Sequence, residues 1–380
     1  MKRSYDEINQ KIADGKAVVL TAEEVARMAE EMSPAEICKN VDVVTTGTFG
    51  AMCSSGIFLN FGHSDPPIKM KKVYLNNVPA YGGVAAVDAY LGATELSEIN
   101  ERYGGEHVIE ELIRGNDIHL RAYASGTDCY PRTEIETTIN KNNVNEMFMF
   151  NPRNAYQNYN VAVNSTNKMK FTYMGNLLPK FGNATFSTSG ELSPLLNDPE
   201  MRTIGIGTRI FLGGTEGFVA WNGTQFNTSK PKNEFGVPVS NAATLATIGD
   251  VKKMSPDYIR AAYFEKYGVS LFVGIGIPIP ILDEDLARFV SVSNDKIETS
   301  IIDYGIHPSQ VLGKVNYKQL QSGEMILNGK KVRTAPLSSI SKARNIAETL
   351  KKWIIQKQFY INAPVQNFPV NTSLKKLEIR

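Results

Sequence analysis

The stretch VDVVTTGTFGAMCSSG, from Val41 to Gly56, sets the fold class. Its first six residues form a β-branched run that stops at Gly47, so a buried strand is expected there. The strand opens into a small, polar, glycine-rich turn that ends on a thiol, Cys53. The same grammar recurs downstream. IHLRAYA, from Ile118 to Ala124, alternates apolar Ile118, Leu120 and Ala122 with His119, Arg121 and Tyr123, and its turn, SGTDCYPR, carries Cys129. Two strand–loop–cysteine units are therefore expected, and a loop just past a strand end is where α/β folds build sites.

Outward from these units, capping residues mark helices at Tyr5 to Asp14, Ala22 to Glu31 after Thr21, and Pro34 to Lys39 after Ser33. Apolar spacing predicts helices over Val84 to Leu91 and over Glu106 to Arg114, the latter closed by Gly115. From about Thr133 to Thr247 the text is strand-rich and turn-rich. A helix is expected from Ser255 and Pro256 to Tyr267, then the strand VSLFVGIGI, a short helix from Asp283 to Phe289, and further strands to Arg333. Ile340, Ala343, Ile346, Ala347, Leu350, Trp353 and Ile354 share one face of a long helix between Ser338 and Gln358. The expected class is α/β with mixed α+β character: mixed sheets, strand–loop site units, a β-rich middle region and a long C-terminal helix. One catalytic unit over residues 1–380 is expected, with an α/β portion at 1–132 and 250–360 around a β-rich insertion at 133–249.

The 380 residues carry 41 Lys and Arg against 39 Asp and Glu, a net +2 without a basic stripe, which gives nucleic acid and anionic membranes no electrostatic support. The N-terminus lacks an apolar signal core, and the longest apolar stretch, Val269 to Leu282, is interrupted by Gly274, Gly276, Pro278 and Pro280. A cytoplasmic protein is expected. Three cysteines are too few for a disulfide framework, so each is either packing or chemistry. Cys38, on PAEICKN, reads as packing.

Cys53 and Cys129 fit nucleophiles in glycine-rich turns, against the alternative that free cysteines are commonly buried fillers. His63, in NFGHSDPP, is a candidate base beside Cys53. Arg132, Arg153, Asn176 and Lys180 lie in short polar loops and are candidate substrate-binding groups, arginine being suited to a carboxylate. His119 and Arg121 could face the site or line the outer side of a sheet. No zinc spacing links the four histidines to the cysteines, so no metal is expected; G-x-G-x-x-G, P-loop and G-x-S-x-G motifs are absent too.

Four long segments carry a resemblance: TTGTFGAMCSSGIFLNFGHSDPPIKM (45–70), LNNVPAYGGVAAVDAYLGATE (75–95), GGEHVIEELIRGNDIHLRAYASGTDCYPR (104–132) and GNLLPKFGNATFSTSGELSPLLNDPEMRTIGIGTRIFLGGTEGFV (175–219). The chain resembles the homocysteine biosynthesis (HcyBio) family from about Tyr5 to its Pro-rich tail. The resemblance implies an anaerobe's sulfurtransferase that turns L-aspartate semialdehyde and sulfide into L-homocysteine, with the family's two functional cysteines falling on Cys53 and Cys129. It implies no bound cofactor and a ferredoxin-like electron donor acting in trans, since no CBS or ferredoxin module is expected in these residues; redox arithmetic adds the expectation of a persulfide or redox-active cysteine step, because closing a disulfide from two thiols releases the two electrons that the aldehyde carbon must gain. A homo-oligomer is compatible with it. Two other readings stay open: a metal-binding or redox-sensing thiol protein, and a cysteine acyl or CoA transferase.

Overall fold

The computed structural model describes residues 2–379. Local chemistry starts the three N-terminal helices, Tyr5–Asp14, Ala22–Met28 and Pro34–Asn40, because Ser4, Thr21 and Ser33 each form a reciprocal capping box with Glu7, Glu24 and Glu36. The opening stretch folds as two strands rather than one. Val43–Thr45 joins a three-stranded sheet with Val19–Thr21 and Pro278–Pro280, while Thr48–Ala51 crosses to the main sheet. Between them Gly47 lies against the Ala343 carbonyl, where a Cβ would not fit, so the Ile340–Ile355 helix packs directly on this corner. That helix buries Ala343, Ile346, Ala347, Leu350 and Ile354, as its periodicity predicts.

Thirteen strands form the main sheet. In spatial order they are Ile259–Phe264, Gly268–Gly276, Arg209–Leu212, Thr215–Asn222, Leu245–Asp250, Glu146–Asn154, Gly56–Asn60, Asp88–Gly92, Val78–Tyr81, Lys72–Leu75, Ile118–Tyr123 and Glu134–Ile139, with Thr48–Ala51 on Gly268–Gly276. A second, six-stranded mixed sheet runs Gln310–Asn316, Glu298–Asp303, Val161–Val163, Ala184–Phe186, Lys330–Pro336 and Glu324–Leu327. A hairpin of Lys170–Thr172 and Gly175–Leu177 adjoins it. The architecture is mixed α/β, as expected. Segment 133–249 supplies strands to both sheets: Glu146–Asn154 pairs with Gly56–Asn60, and Val161–Val163 pairs with Glu298–Asp303.

Two expected helices are strands. Residues Val84 to Leu91 give a turn and the strand Asp88–Gly92, where buried Ala89 and Leu91 alternate with outward Asp88 and Tyr90; Tyr90 pairs with Phe58 and with Tyr81. Period two wins here because strands are available on both sides. Residues 255–267 give the strand Ile259–Phe264, which folds back on Gly268–Val273 through a turn with Lys266 in the left-handed region at φ 54°. Ser255 and Pro256 begin a turn that cannot be told from a helix N-terminus by composition. The Gly105–Arg114 helix ends as expected at Gly115, which is left-handed at φ 83°.

Candidate active site

Cys53 sits in the tight turn between Thr48–Ala51 and Gly56–Asn60, and hydrogen bonds from several elements hold this turn. Met52 N–H donates to the Leu271 carbonyl at 2.7 Å, and Ser55 N–H and Oγ both reach the Met52 carbonyl. Asn151 Nδ2 donates to Ser55 Oγ at 2.7 Å, and Ser54 Oγ donates to Asn151 Oδ1 at 3.2 Å. From the neighbouring strand Ser270 Oγ donates to Cys53 Sγ at 3.2 Å. Ser270 is fully buried.

The thiol opens into a cavity of about 490 Å³ between the two sheets. The main-sheet side brings Cys53, Arg153, Tyr156 and Tyr267, and the second layer brings Tyr159, Tyr173 and Met174. Among the described lining residues, Arg153 is the one that carries charge. Its Nε donates to Thr224 Oγ1 at 3.0 Å, which orients the guanidinium without neutralising it. Such a cavity favours an anion.

The tyrosines form a connected wall. Tyr156 packs edge-on to Tyr159 at 4.7 Å, Tyr159 Oη donates to Tyr173 Oη at 3.3 Å, and Tyr173 Oη lies 2.9 Å from Tyr304 Oη. Burial pushes the Tyr267 phenol up to about 12, and the neighbouring Cys53 thiol adds to the rise. Burial likewise raises Tyr156, Tyr159 and Tyr304, so these phenols stay protonated and present O–H donors at neutral pH.

The other sequence candidates lie elsewhere. Cys129 is exposed at the tip of the loop after Ile118–Tyr123. His63 stacks on Tyr130 in that same region, with ring centroids 6.1 Å apart, so it belongs with Cys129 and not beside Cys53 as the sequence suggested. The reason is that His63 follows the far end of Gly56–Asn60, whereas Cys53 precedes its near end. Arg132 donates to the Asp65 and Pro66 carbonyls at 2.7 and 2.9 Å, which clasps the His63 loop to the Cys129 loop and occupies the guanidinium. Asn176 donates to Glu265 at 3.3 Å on the hairpin that presents Tyr173, and Lys180 is exposed; neither lines the cavity. His119 pairs with Glu136 and Arg121 with Asn77. Cys38 is buried packing, as read. Among the described residues no three His, Cys, Asp or Glu side chains converge as a metal site, and no helix is long and apolar enough to cross a membrane.

Ser270, Tyr267 and the tyrosine wall escaped the sequence reading. Two signals pointed to them: Ser270 is the lone hydroxyl in the apolar run VSLFVGIGI, and Tyr156 and Tyr159 follow Arg153 at a spacing of three.

The family described as homocysteine biosynthesis enzyme, sulfur-incorporation, matches residues 17–361. A Methanosarcina acetivorans protein named L-aspartate semialdehyde sulfurtransferase is 49% identical over 381 residues, covering 100% of this chain and 74% of that protein. A Methanocaldococcus jannaschii protein of the same name is 49% identical, covering 96% and 72%. An uncharacterized protein of Methanothermobacter thermautotrophicus is 28% identical over 86% of this chain. No solved structure matches the chain. A thiol held ready in a cavity with one free cation, in a chain matched from residue 17 to residue 361, makes this an enzyme of the sulfur-incorporating homocysteine biosynthesis family.

Proposed function

We propose that this enzyme incorporates sulfur reductively into L-aspartate semialdehyde to give L-homocysteine. The observation that carries the reading is that Cys53 and Arg153 share one tyrosine-walled cavity, a thiol for an electrophilic carbon and a guanidinium for a carboxylate. The two near relatives bear a name that states this substrate.

In this reading Arg153 holds the substrate carboxylate, and the aldehyde carbon lies toward Cys53. Of the two candidate arginines the carboxylate role falls to Arg153, because Arg132 is spent on backbone carbonyls. Ser270 steadies negative charge on the Cys53 sulfur, and Tyr267 delivers a proton to the oxygen that departs as water. One aldehyde, one hydrogen sulfide and two cysteine thiols become one homocysteine, one water and one disulfide. The thiols thus lose the two electrons and two protons that the substrate carbon gains. Cys129 is the second thiol, His63 serves proton transfer at its loop, and an external ferredoxin-like donor reopens the disulfide.

Anaerobic turnover of aspartate semialdehyde with sulfide and a strong reductant tests this. Homocysteine from the wild type, and none from Cys53→Ala or Cys129→Ala, is the expected result. A wild type that makes no homocysteine with both thiols reduced overturns it.

A further inference from the structure

We propose that the second thiol arrives from another copy of the chain, so that Cys53 of one copy and Cys129 of a second form one composite site. The inference rests on the two-thiol reading above and asks where the second thiol comes from.

Within one chain the sheet keeps the two cysteines apart. Phe58 pairs with Tyr90, Tyr90 with Tyr81, Tyr81 with Lys72, and Lys72 with Tyr123. Phe58 and Tyr123 therefore lie on one cross-strand row, separated by four strand spacings, roughly 19 Å at about 4.8 Å each. The two outer strands of this row run in the same direction, because every pairing between them is antiparallel and there are four. Cys53 comes five residues before Phe58 and Cys129 six residues after Tyr123, so they project from opposite ends. A disulfide needs Cα atoms within about 7 Å.

Neither loop is free to make up that distance. The Cys53 turn is tied to Leu271 and Asn151. The Cys129 loop is closed at its base by Ala124 N–H to the Thr133 carbonyl, and at its tip by mutual backbone bonds between Thr127 and Tyr130. Arg132 clasps it to residues 65–67. What this construction does achieve is a stiff hairpin tip with Thr127, Asp128 and Cys129 all exposed, a thiol shaped to reach outward.

The cleft complements the tip. Asp128, adjacent to Cys129, has no ionic partner among the described residues. Arg153 inside the cavity is likewise without an ion pair among the described residues. The cavity holds one thiol of the two and the Cys129 tip presents the other outward, so the occupant is a second copy of this chain. In the redox step the S–S bond forms between the two chains. Its two electrons and two protons pass to the sulfur-bearing carbon of the substrate, and two electrons from the external ferredoxin-like donor, with two protons, reopen the bond.

The test uses two inactive chains together. Cys53→Ala and Cys129→Ala chains carrying different affinity tags are coexpressed, and the mixed assembly is purified through both tags. Fully reduced protein is then given aldehyde and sulfide for a single turnover. Each variant alone should make no homocysteine, and the mixed dimer, with one complete composite site of two, should make half the wild-type yield. In parallel, mild oxidation of wild-type protein assembled from isotopically heavy and light chains should give a covalent dimer with Cys53–Cys129 peptides that join heavy to light. A mixed assembly as inactive as its parents, failure to recover any doubly tagged protein, or a Cys53–Cys129 bond confined to one chain overturns the inference while leaving two thiols in the reaction. Full activity of either variant alone removes the two-thiol reading itself, and this inference with it.

Discussion

Ser270 Oγ donates to Cys53 Sγ at 3.2 Å from a fully buried position on the strand that flanks the Cys53 turn. The bond fixes the sulfur that faces the cavity, and a hydrogen bond to a charged group contributes about 1.5–3 kcal/mol. We expect Ser270→Ala to slow iodoacetamide labelling of Cys53 and to lower kcat, each by about tenfold, with KM little changed. Peptide-resolved labelling with Cys129 as internal control checks this, since a general loss of structure would speed Cys53 labelling instead.

Arg153 should act on binding. Its guanidinium is oriented by Thr224 and has no carboxylate partner in the cavity, so the substrate carboxylate is its natural ligand. Arg153→Gln should raise KM for aspartate semialdehyde by about 10-fold to 100-fold and spare kcat within a few-fold. An aldehyde of similar length without the carboxylate should be handled equally by both proteins. A large kcat loss on both aldehydes would place Arg153 in the chemistry rather than in recognition.

In the proposed reaction Tyr267 supplies a proton that stays available at high pH. With its phenol pushed up to about 12 by burial and by the adjacent thiol, it remains protonated through the range where an ordinary tyrosine begins to ionise. Tyr267→Phe should lower kcat by about 10²-fold, at the low end of general acid contributions. Tyr173→Phe, which breaks the hydroxyl chain to Tyr159 and Tyr304 without touching the thiol, should cost much less. Steady-state rates of the two variants between pH 7 and 10 separate these effects.

The capping boxes at Ser4, Thr21 and Ser33 and the apolar face of Ile340–Ile355 were legible because their causes lie within a few residues of chain. Ile259–Phe264 was not, because Ser255-Pro256 followed by spaced apolar residues suits a helix until Gly268–Val273 offers a pairing edge. The site divides in the same way. Cys53 and Arg153 could be picked out by type, but the cavity that joins them draws Tyr156, Tyr173, Tyr267 and Leu337 from distant parts of the chain. Likewise His63 is near Cys53 in sequence, yet one strand length carries it to the Cys129 end.

Stability should depend on pH through Glu106 and His107. Glu106 is fully buried at the start of the Gly105–Arg114 helix, and its carboxylate forms an ion pair with His107 Nδ1. Burial raises the Glu106 carboxyl, and the contact with Glu106 raises His107 above its ordinary 6.5. Both shifts have the same sign: the folded chain holds protons that the unfolded chain releases. The His107 contribution is therefore complete below pH 6.5 and is lost as pH rises through the higher folded value. We expect Tm to fall by about 2 °C between pH 6 and 8.5 from this pair. Glu106→Gln removes the charge that holds the His107 proton and should flatten that slope, while His107→Gln should lower Tm at pH 6 and leave it nearly level at pH 8.5. Thermal unfolding of the three proteins across this range checks the assignment, and an unchanged slope in Glu106→Gln would move it to another group.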